Sequence, residues 1–206
     1  MIAIVDHGVS NVRSVLRAFH AVDAEATLSA DPAVVRAADR VVVPGVGHFA
    51  AAMRALTLTG LGDAVLEGAR GGKPTLGICL GLQLFLERSE EAPDVAGLGL
   101  LRGGVVRFRT SLPVPHVGWA QVRLTPRGRS QPVLTRAFAA PEAYIYHVHS
   151  FHPSGVGDDS RLADAEYDEA FPTIVGCDTV LGVQFHPEKS QAAGLSLLAA
   201  FARWAP

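Results

Sequence analysis

The stretch PTLGICLGLQLFLE, residues 74–87, changes its period halfway along. Pro74 to Ile78 is a short apolar run behind a proline, as in a buried strand, whereas Leu80 to Glu87 continues as a helix. Between them stands Cys79, with Gly77 and Gly81 on either side. A strand that turns straight into a helix is the building unit of an α/β sheet, and the sequence upstream repeats it. IAIVD (2–6) precedes Asn11 to His20, where Val12, Val15, Leu16 and Phe19 fall at helical spacing. A weaker strand over Glu25 to Leu28 leads to Ser29-Ala30-Asp31-Pro32, a cap-plus-proline helix start. RVVVPG (40–45) is a β-branched strand closed by Pro and Gly, and a helical pair follows over Phe49 to Leu56 and Leu61 to Arg70. Four such units predict an α/β fold: an open, mostly parallel sheet with helices on both faces.

After Glu90 the pattern changes to strand-like pieces separated by Pro and Gly: GVVRF (104–108), AQVRL (120–124), AYIYHVH (143–149), RLADAEY (161–167), PTIVGC (172–177) and VLGVQF (180–185). These are expected as antiparallel additions to the sheet. Gln191 to Trp204, with Leu195, Leu198, Ala199 and Ala202 in register, reads as a last helix packed back on it. No repeat or long linker divides the chain, so residues 1–206 read as one domain, large enough to bury roughly 70% of its unfolded surface.

Composition narrows the partners. Only 18% of residues are charged and the formal net charge is −2, so neither nucleic acid nor an anionic membrane is expected. Cys79 and Cys177 make no disulfide framework, and MIAIVDHG has neither the basic start nor the apolar length of an export signal. No window holds 18 uninterrupted apolar residues. A cytoplasmic protein acting on a small molecule or another protein fits.

The chemistry gathers where strands end, as sites in open parallel sheets do. Gly77-x-Cys79-x-Gly81 has the glycine spacing of a nucleophile elbow, a tight turn that needs small neighbours. At a helix start, free N–H groups and the dipole favour a thiolate. Alone, the stretch leaves a buried core thiol equally open, since free cysteine is among the most buried residue types. FHPE (185–188) supplies the company: in an extended backbone His186 and Glu188 project to one side, where a carboxylate orients an imidazole that takes a proton from a thiol. PGVGHF (44–49) offers glycines at 45 and 47, whose backbone N–H groups can approach an oxyanion closely; an ordinary Gly-Pro turn would look the same.

Taken together and in order, PGVGHF, GICLGLQLF, RSEEAP, PHVGW and GVQFHPEKS resemble the class I glutamine amidotransferases, and within them the glutaminase subunits of imidazole glycerol phosphate synthase in histidine biosynthesis. GICLG and FHPE belong to the wider class; PHVGW, EKS and HSF near residue 150 narrow it. The resemblance implies the flavodoxin-like fold of that class, L-glutamine as substrate and no cofactor or metal. It implies Cys79 as nucleophile, His186 as general base and then acid, and Glu188 as its orienting partner. An oxyanion hole is implied from Val46, Gly47 and Leu80, with Gly45 and Gln83 contacting glutamine. Ammonia would pass to a cyclase subunit with a (β/α)₈ barrel, forming a heterodimer. Asn11, Trp119, Tyr146, His149 and Lys189 would lie at the subunit interface or gate. In the family the glutaminase is nearly idle until the cyclase holds its nucleotide, which implies an unready oxyanion hole as the switch.

The chain departs from the family pattern at His7 and Ser10, where Tyr and Gly are usual, at Ala120, where Asn follows the Trp, and at His147, where an aromatic is usual. These positions bear on coupling to the partner and not on the three catalytic side chains. Two other readings stand beside this one. A glutaminase serving anthranilate or pyridoxal phosphate synthesis would share Cys79, His186 and Glu188. A histidine-based metal site would use His147, His149 and His152, two of them on one strand face, but no Cys, Asp or Glu lies in the immediate run to complete a tetrahedron. The lone His20, His48 and His116 read as scaffold, and Cys177 as an ordinary strand thiol.

Overall fold

The computed structural model describes residues 1–8 and 12–205; Ser10 and Asn11, both singled out above, lie outside the described residues. Burial along the first strand sets the layering. In β1 (Ile2–Val5) Ile2 and Ile4 enter one apolar core while Ala3 and Val5 enter another, so the strand is covered on both faces. The covering helices divide accordingly. Val15 and Phe19 of α1 (Val12–His20) join the first core; α2 (Pro32–Ala37), α3 (Phe49–Thr59), α4 (Leu61–Arg70) and α5 (Leu80–Phe85) line the second. The predicted start of α2 is real: Asp31 accepts a hydrogen bond from the Ala33 N–H at 2.8 Å and Pro32 occupies the first turn. Gly60, at φ +72°, ends α3 and begins α4, which are bent 86° to each other. Among the described residues no single helix is long and apolar enough to cross a membrane.

With β2 (Ala26–Ser29), β3 (Arg40–Gly45) and β4 (Thr75–Cys79), β1 forms the parallel part of a nine-stranded sheet in the order β2-β1-β3-β4. The next strand corrects an expectation. The piece VLGVQF supplies β12 (Val180–Val183), which runs parallel to β4 and antiparallel to β11 (Glu169–Cys177), so it joins the two halves instead of being a purely antiparallel addition. Beyond β11 the sheet continues antiparallel through β10 (Arg161–Tyr167), β7 (His116–Leu124) and β8 (Glu142–His149). The parallel order β2-β1-β3-β4-β12 is the flavodoxin-like doubly wound order.

GVVRF is also reassigned: β6 (Gly104–Arg107) pairs with β5 (Arg88–Ser89) and β9 (Phe151–Ser154) in a separate three-stranded sheet. Two elements escape the periodicity reading because they are short: β9, which contains Pro153, and α6 (Pro132–Ala137), whose first N–H groups at Val133 and Leu134 donate to the Gln131 side chain. The last helix, α7 (Gln191–Ala202), buries Gly194, Leu197, Leu198 and Phe201, so its core face is rotated from the expected one; Leu195, Ala199 and Ala202 are half-buried.

Candidate active site

Cys79 ends β4 with φ +55° and ψ −108°, a backbone conformation that a side-chain-bearing residue rarely takes. Its glycines have a steric task. A Cβ on Gly81 would be driven into the Val43 carbonyl, and one on Gly77 would stand 2.8 Å from the Gly81 carbonyl carbon. The turn has the geometry of a nucleophile elbow: glycine at 81 lets it nest against β3, and glycine at 77 lets α5 start directly over the strand. Sheet register brings the other two motifs to it. Gly45 pairs with Cys79 across β3 and β4, and β12, paired through Val183 to Ile78, delivers Gln184 and His186 beside the thiol.

Cys79, Leu80, Gln83, Val46, Gly47 and His186 line one cavity of about 370 Å³. His186 is buried against Glu188, which lies behind it and does not itself line the cavity: Nδ1 and Oε1 lie 2.8 Å apart, with side chains 3% and 1% exposed. The other ring nitrogen, Nε2, is buried with no hydrogen bond of regular geometry. Burial alone would push the His186 pKa down; the charge and contact of Cys79, and then those of Glu188, outweigh it and hold the value at about 10. The site thus favours imidazolium at His186.

Three residues of the site were not singled out from the sequence. The Nε2 of Gln184, which is fully buried, donates to Cys79 Sγ at 3.7 Å. Ser190 accepts the Tyr146 N–H at 3.1 Å and donates to the His186 carbonyl at 2.6 Å, fixing the HPE turn to β8. Glu91 accepts the Phe49 N–H at 2.6 Å, at the start of α3, and lines the cavity. Apart from the Ser190 bond to His186, their partners come from distant strands and helix ends, so no local spacing marks the site contacts.

Of the residues expected at an interface or gate, Trp119 and Tyr146 stand with ring centroids 6.1 Å apart, and the Lys189 Nζ lies 6.0 Å from the Tyr146 ring. With Val117 and Tyr144 they belong to an exposed apolar strip of β7 and β8; Trp119 is 46% and Tyr144 63% exposed. His149 falls on the opposite strand face from Tyr146. It is buried, its Nδ1 lies 2.9 Å from the Phe151 carbonyl, and it lines the cavity instead of the outer strip. His7 is buried with Nε2 donating to the Pro44 carbonyl at 3.0 Å, so this departure from the family pattern ties the first loop to PGVG.

His116, His147, His149 and His152 form an aromatic cluster, whereas His20 is exposed beside the Ala26 carbonyl and His48 caps the start of α3. His116 lies against Tyr167 at 4.0 Å and His147 at 5.2 Å, and Phe108 contacts His149 and His152 at 5.3 and 4.6 Å. Desolvation lowers the pKa of His116, takes that of His147 to about 3 and holds that of His149 well below the ordinary value. Among the described residues no three or more His, Cys, Asp or Glu side chains are placed to share a metal ion. Cys177 ends β11 and is exposed, not a core thiol. A larger cleft of about 450 Å³ holds Arg109 and Arg161 but not Cys79, and these arginines are already paired with Glu90 and Asp164.

The glutamine amidotransferase class-I family profile matches residues 3–203. The chain is 42% identical to an imidazole glycerol phosphate synthase subunit HisH of Bacillus licheniformis, over 98% of this chain and 95% of that protein. It is 43% identical to the HisH of Symbiobacterium thermophilum, over 98% and 93%. Among solved structures, the CTPS glutaminase domain of Trypanosoma brucei with bound acivicin superposes at a TM-score of 0.70 with 17% identity, over 100% of this chain and 94% of that one, a likeness of fold. An elbow cysteine, a buried His-Glu pair and full-length likeness converge, and the chain belongs to the class I glutamine amidotransferases, in the family of HisH subunits of imidazole glycerol phosphate synthase.

Proposed function

We propose that the protein is the glutaminase subunit of an imidazole glycerol phosphate synthase, hydrolysing L-glutamine at Cys79 and passing ammonia to a separate cyclase subunit built on a (β/α)₈ barrel. The observation that carries this reading is the elbow thiol sharing a cavity with His186, itself held by Glu188, in a chain resembling HisH subunits from end to end. The Cys79 thiolate attacks the side-chain amide carbon, and the electron pair of the C=O bond moves to oxygen. Leu80 opens α5, so its N–H has no intrahelical acceptor and is free for that oxyanion, together with an N–H from Val46 or Gly47. Imidazolium at His186 gives its proton to the departing nitrogen, ammonia leaves, and a γ-glutamyl thioester remains. His186, now neutral, takes a proton from water as the water attacks the thioester; glutamate departs and thiolate returns. Throughout, Glu188 holds the ring in place.

Glu91 and Lys189 line the same cavity and present opposite charges, which suit the ammonium and carboxylate of an amino-acid substrate. The exposed strip of Val117, Trp119 and Tyr144 is an apolar surface of the kind a partner subunit covers, and Tyr146 and Lys189 join it to the cavity. A glutaminase of anthranilate or pyridoxal phosphate synthesis would keep the same three catalytic residues; the likeness to HisH subunits over 98% of the chain favours the present reading. The test is Cys79→Ala in complex with the cyclase. Synthesis from glutamine should vanish while synthesis from added ammonium salt persists; glutamine use at the parental rate would remove Cys79 as the nucleophile.

A further inference from the structure

Gln184 is a buried polar side chain at the nucleophile that the scheme above does not use. Its Nε2 donates to Cys79 Sγ at 3.7 Å, its Oε1 accepts from Gln83 Nε2 at 3.2 Å, and its backbone N–H donates to the Thr173 carbonyl at 2.8 Å. Gln83 Nε2 also donates to the Phe151 carbonyl at 3.2 Å. The direction of each amide follows from its partners. A backbone carbonyl only accepts, so Phe151 turns the NH₂ group of Gln83 toward itself. That same NH₂ meets Gln184, which must offer its oxygen there, and therefore its own NH₂ to the sulfur. Orientation is thus transmitted in series from a main-chain carbonyl to the reacting atom.

We infer that Gln184 is a further catalytic residue, whose amide N–H stabilises the Cys79 thiolate, and that Gln83 is the positioning residue that keeps this N–H pointed at sulfur. The inference rests on Cys79 being the nucleophile. It has two consequences for the reaction. The donor raises the share of thiolate ready to attack, and it meets the electron pair again when the C–S bond of the thioester breaks and the pair returns to sulfur. It also limits Gln83, whose two N–H groups are both engaged, to offering glutamine its carbonyl oxygen alone.

The test uses a Cys177→Ser background, so that Cys79 is the one thiol, and measures its alkylation by iodoacetamide against pH alongside glutamine turnover in the cyclase complex. A hydrogen bond to a charged group carries enough weight that Gln184→Leu should move the alkylation midpoint up by about 1–2 pH units and lower kcat about 10- to 100-fold. Gln184→Glu, of the same shape, should move the midpoint further, because a carboxylate then faces the thiolate. Gln83→Leu should shift it in the same direction by less. The upward shifts in the two leucine variants, which add no charge, are specific to N–H donation; a residue that merely fills space would not produce them. Should Gln184→Leu fail to fold, Gln184→Glu and Gln83→Leu carry the test. Unchanged midpoints, or a downward shift in Gln184→Glu, would overturn the assignment. Cys79→Ala in the same series separates the two readings: if it is inactive with glutamine while the Gln184 variants titrate like the parent, only the role of Gln184 fails.

Discussion

One buried histidine, His186, and a cluster of three others, His116, His147 and His149, hold opposite charge states. His186 is 3% exposed, yet the Cys79 charge and the Glu188 carboxylate keep it protonated up to about pH 10. His147 is 0% exposed and sits among rings, with a pKa of about 3. Burial is common to both, so burial alone does not decide. What differs is the partner. His186 Nδ1 meets a carboxylate, whereas His147 Nδ1 and Nε2 meet the Ile145 carbonyl and the Thr173 hydroxyl, neither of which carries charge. A buried imidazole is a proton donor or an inert ring according to whether an anion was buried with it.

The sharpest break of that contrast is Glu188→Gln. The amide keeps the shape and removes the charge, as in a serine-protease triad whose Asp→Asn change costs about 10⁴ in kcat. A loss of about 10²–10⁴ in glutamine turnover is expected, with ammonium-dependent synthesis by the complex retained. His186 with a raised pKa contributes stability that is complete below the unfolded value near 6.5 and is lost as pH rises through about 10. Glu188→Gln should therefore move the alkaline limb of the turnover profile to lower pH; an unmoved limb would show that Glu188 does not set the charge of His186.

The neutral group should fail at the other end of the scale. His116, His147 and His149 have folded pKa values below the unfolded one, so below pH 6.5 the unfolded chain binds more protons and stability falls toward the folded values. The carboxylate at the edge of this stack, Glu169, contacts His152 at 3.3 Å and is not hydrogen-bonded to these three rings. Each ring held neutral costs about 1.4 kcal/mol per pH unit. Between pH 5.5 and 7.5, His147 and His149 together should add about 2–3 kcal/mol to the stability read by urea unfolding, offset by about 1.4 kcal/mol that His186 loses over the same range. His147→Gln, which does not titrate, should take about 1.4 kcal/mol from the pH 5.5 to 7.5 change; an unaltered slope would place the acid sensitivity elsewhere.

The same contrast explains what could be read from the sequence. Gly77-x-Cys79-x-Gly81 and FHPE were legible because the elbow and the His-Glu pair are made by neighbours within a few residues, and strand alternation already put His147 and His149 on one face. Whether that face points to solvent, a partner or the core depends on Phe108 and Phe171, far away in sequence, so the burial of His149, only 6% exposed, was not legible. Gln184 acquires its contact with Cys79 only through the parallel register of β12 on β4, and the VLGVQF pattern looks the same in a parallel or an antiparallel strand. Gly194 and Phe201 replace the expected inner positions of α7 because this helix is apolar nearly all round, which leaves its rotation to be set by packing.

Ser190 joins the two regions, and its removal should tell them apart. Its hydroxyl takes the N–H of Tyr146, next in sequence to His147, and gives its hydrogen to the carbonyl of His186, whose own N–H donates to the Tyr146 carbonyl at 3.1 Å. Ser190→Ala leaves one N–H and one carbonyl without this buried partner, at a cost of about 1–3 kcal/mol in urea unfolding at neutral pH. The direction of the damage is what matters. The HPE turn hangs on this hydroxyl, whereas the ring contacts of His116, His147 and His149 do not involve it, so glutamine turnover should fall while the acid-dependent change in stability stays as in the parent. Equal damage to both would mean that Ser190 supports the sheet as a whole and that the charged and neutral histidines are not independently held.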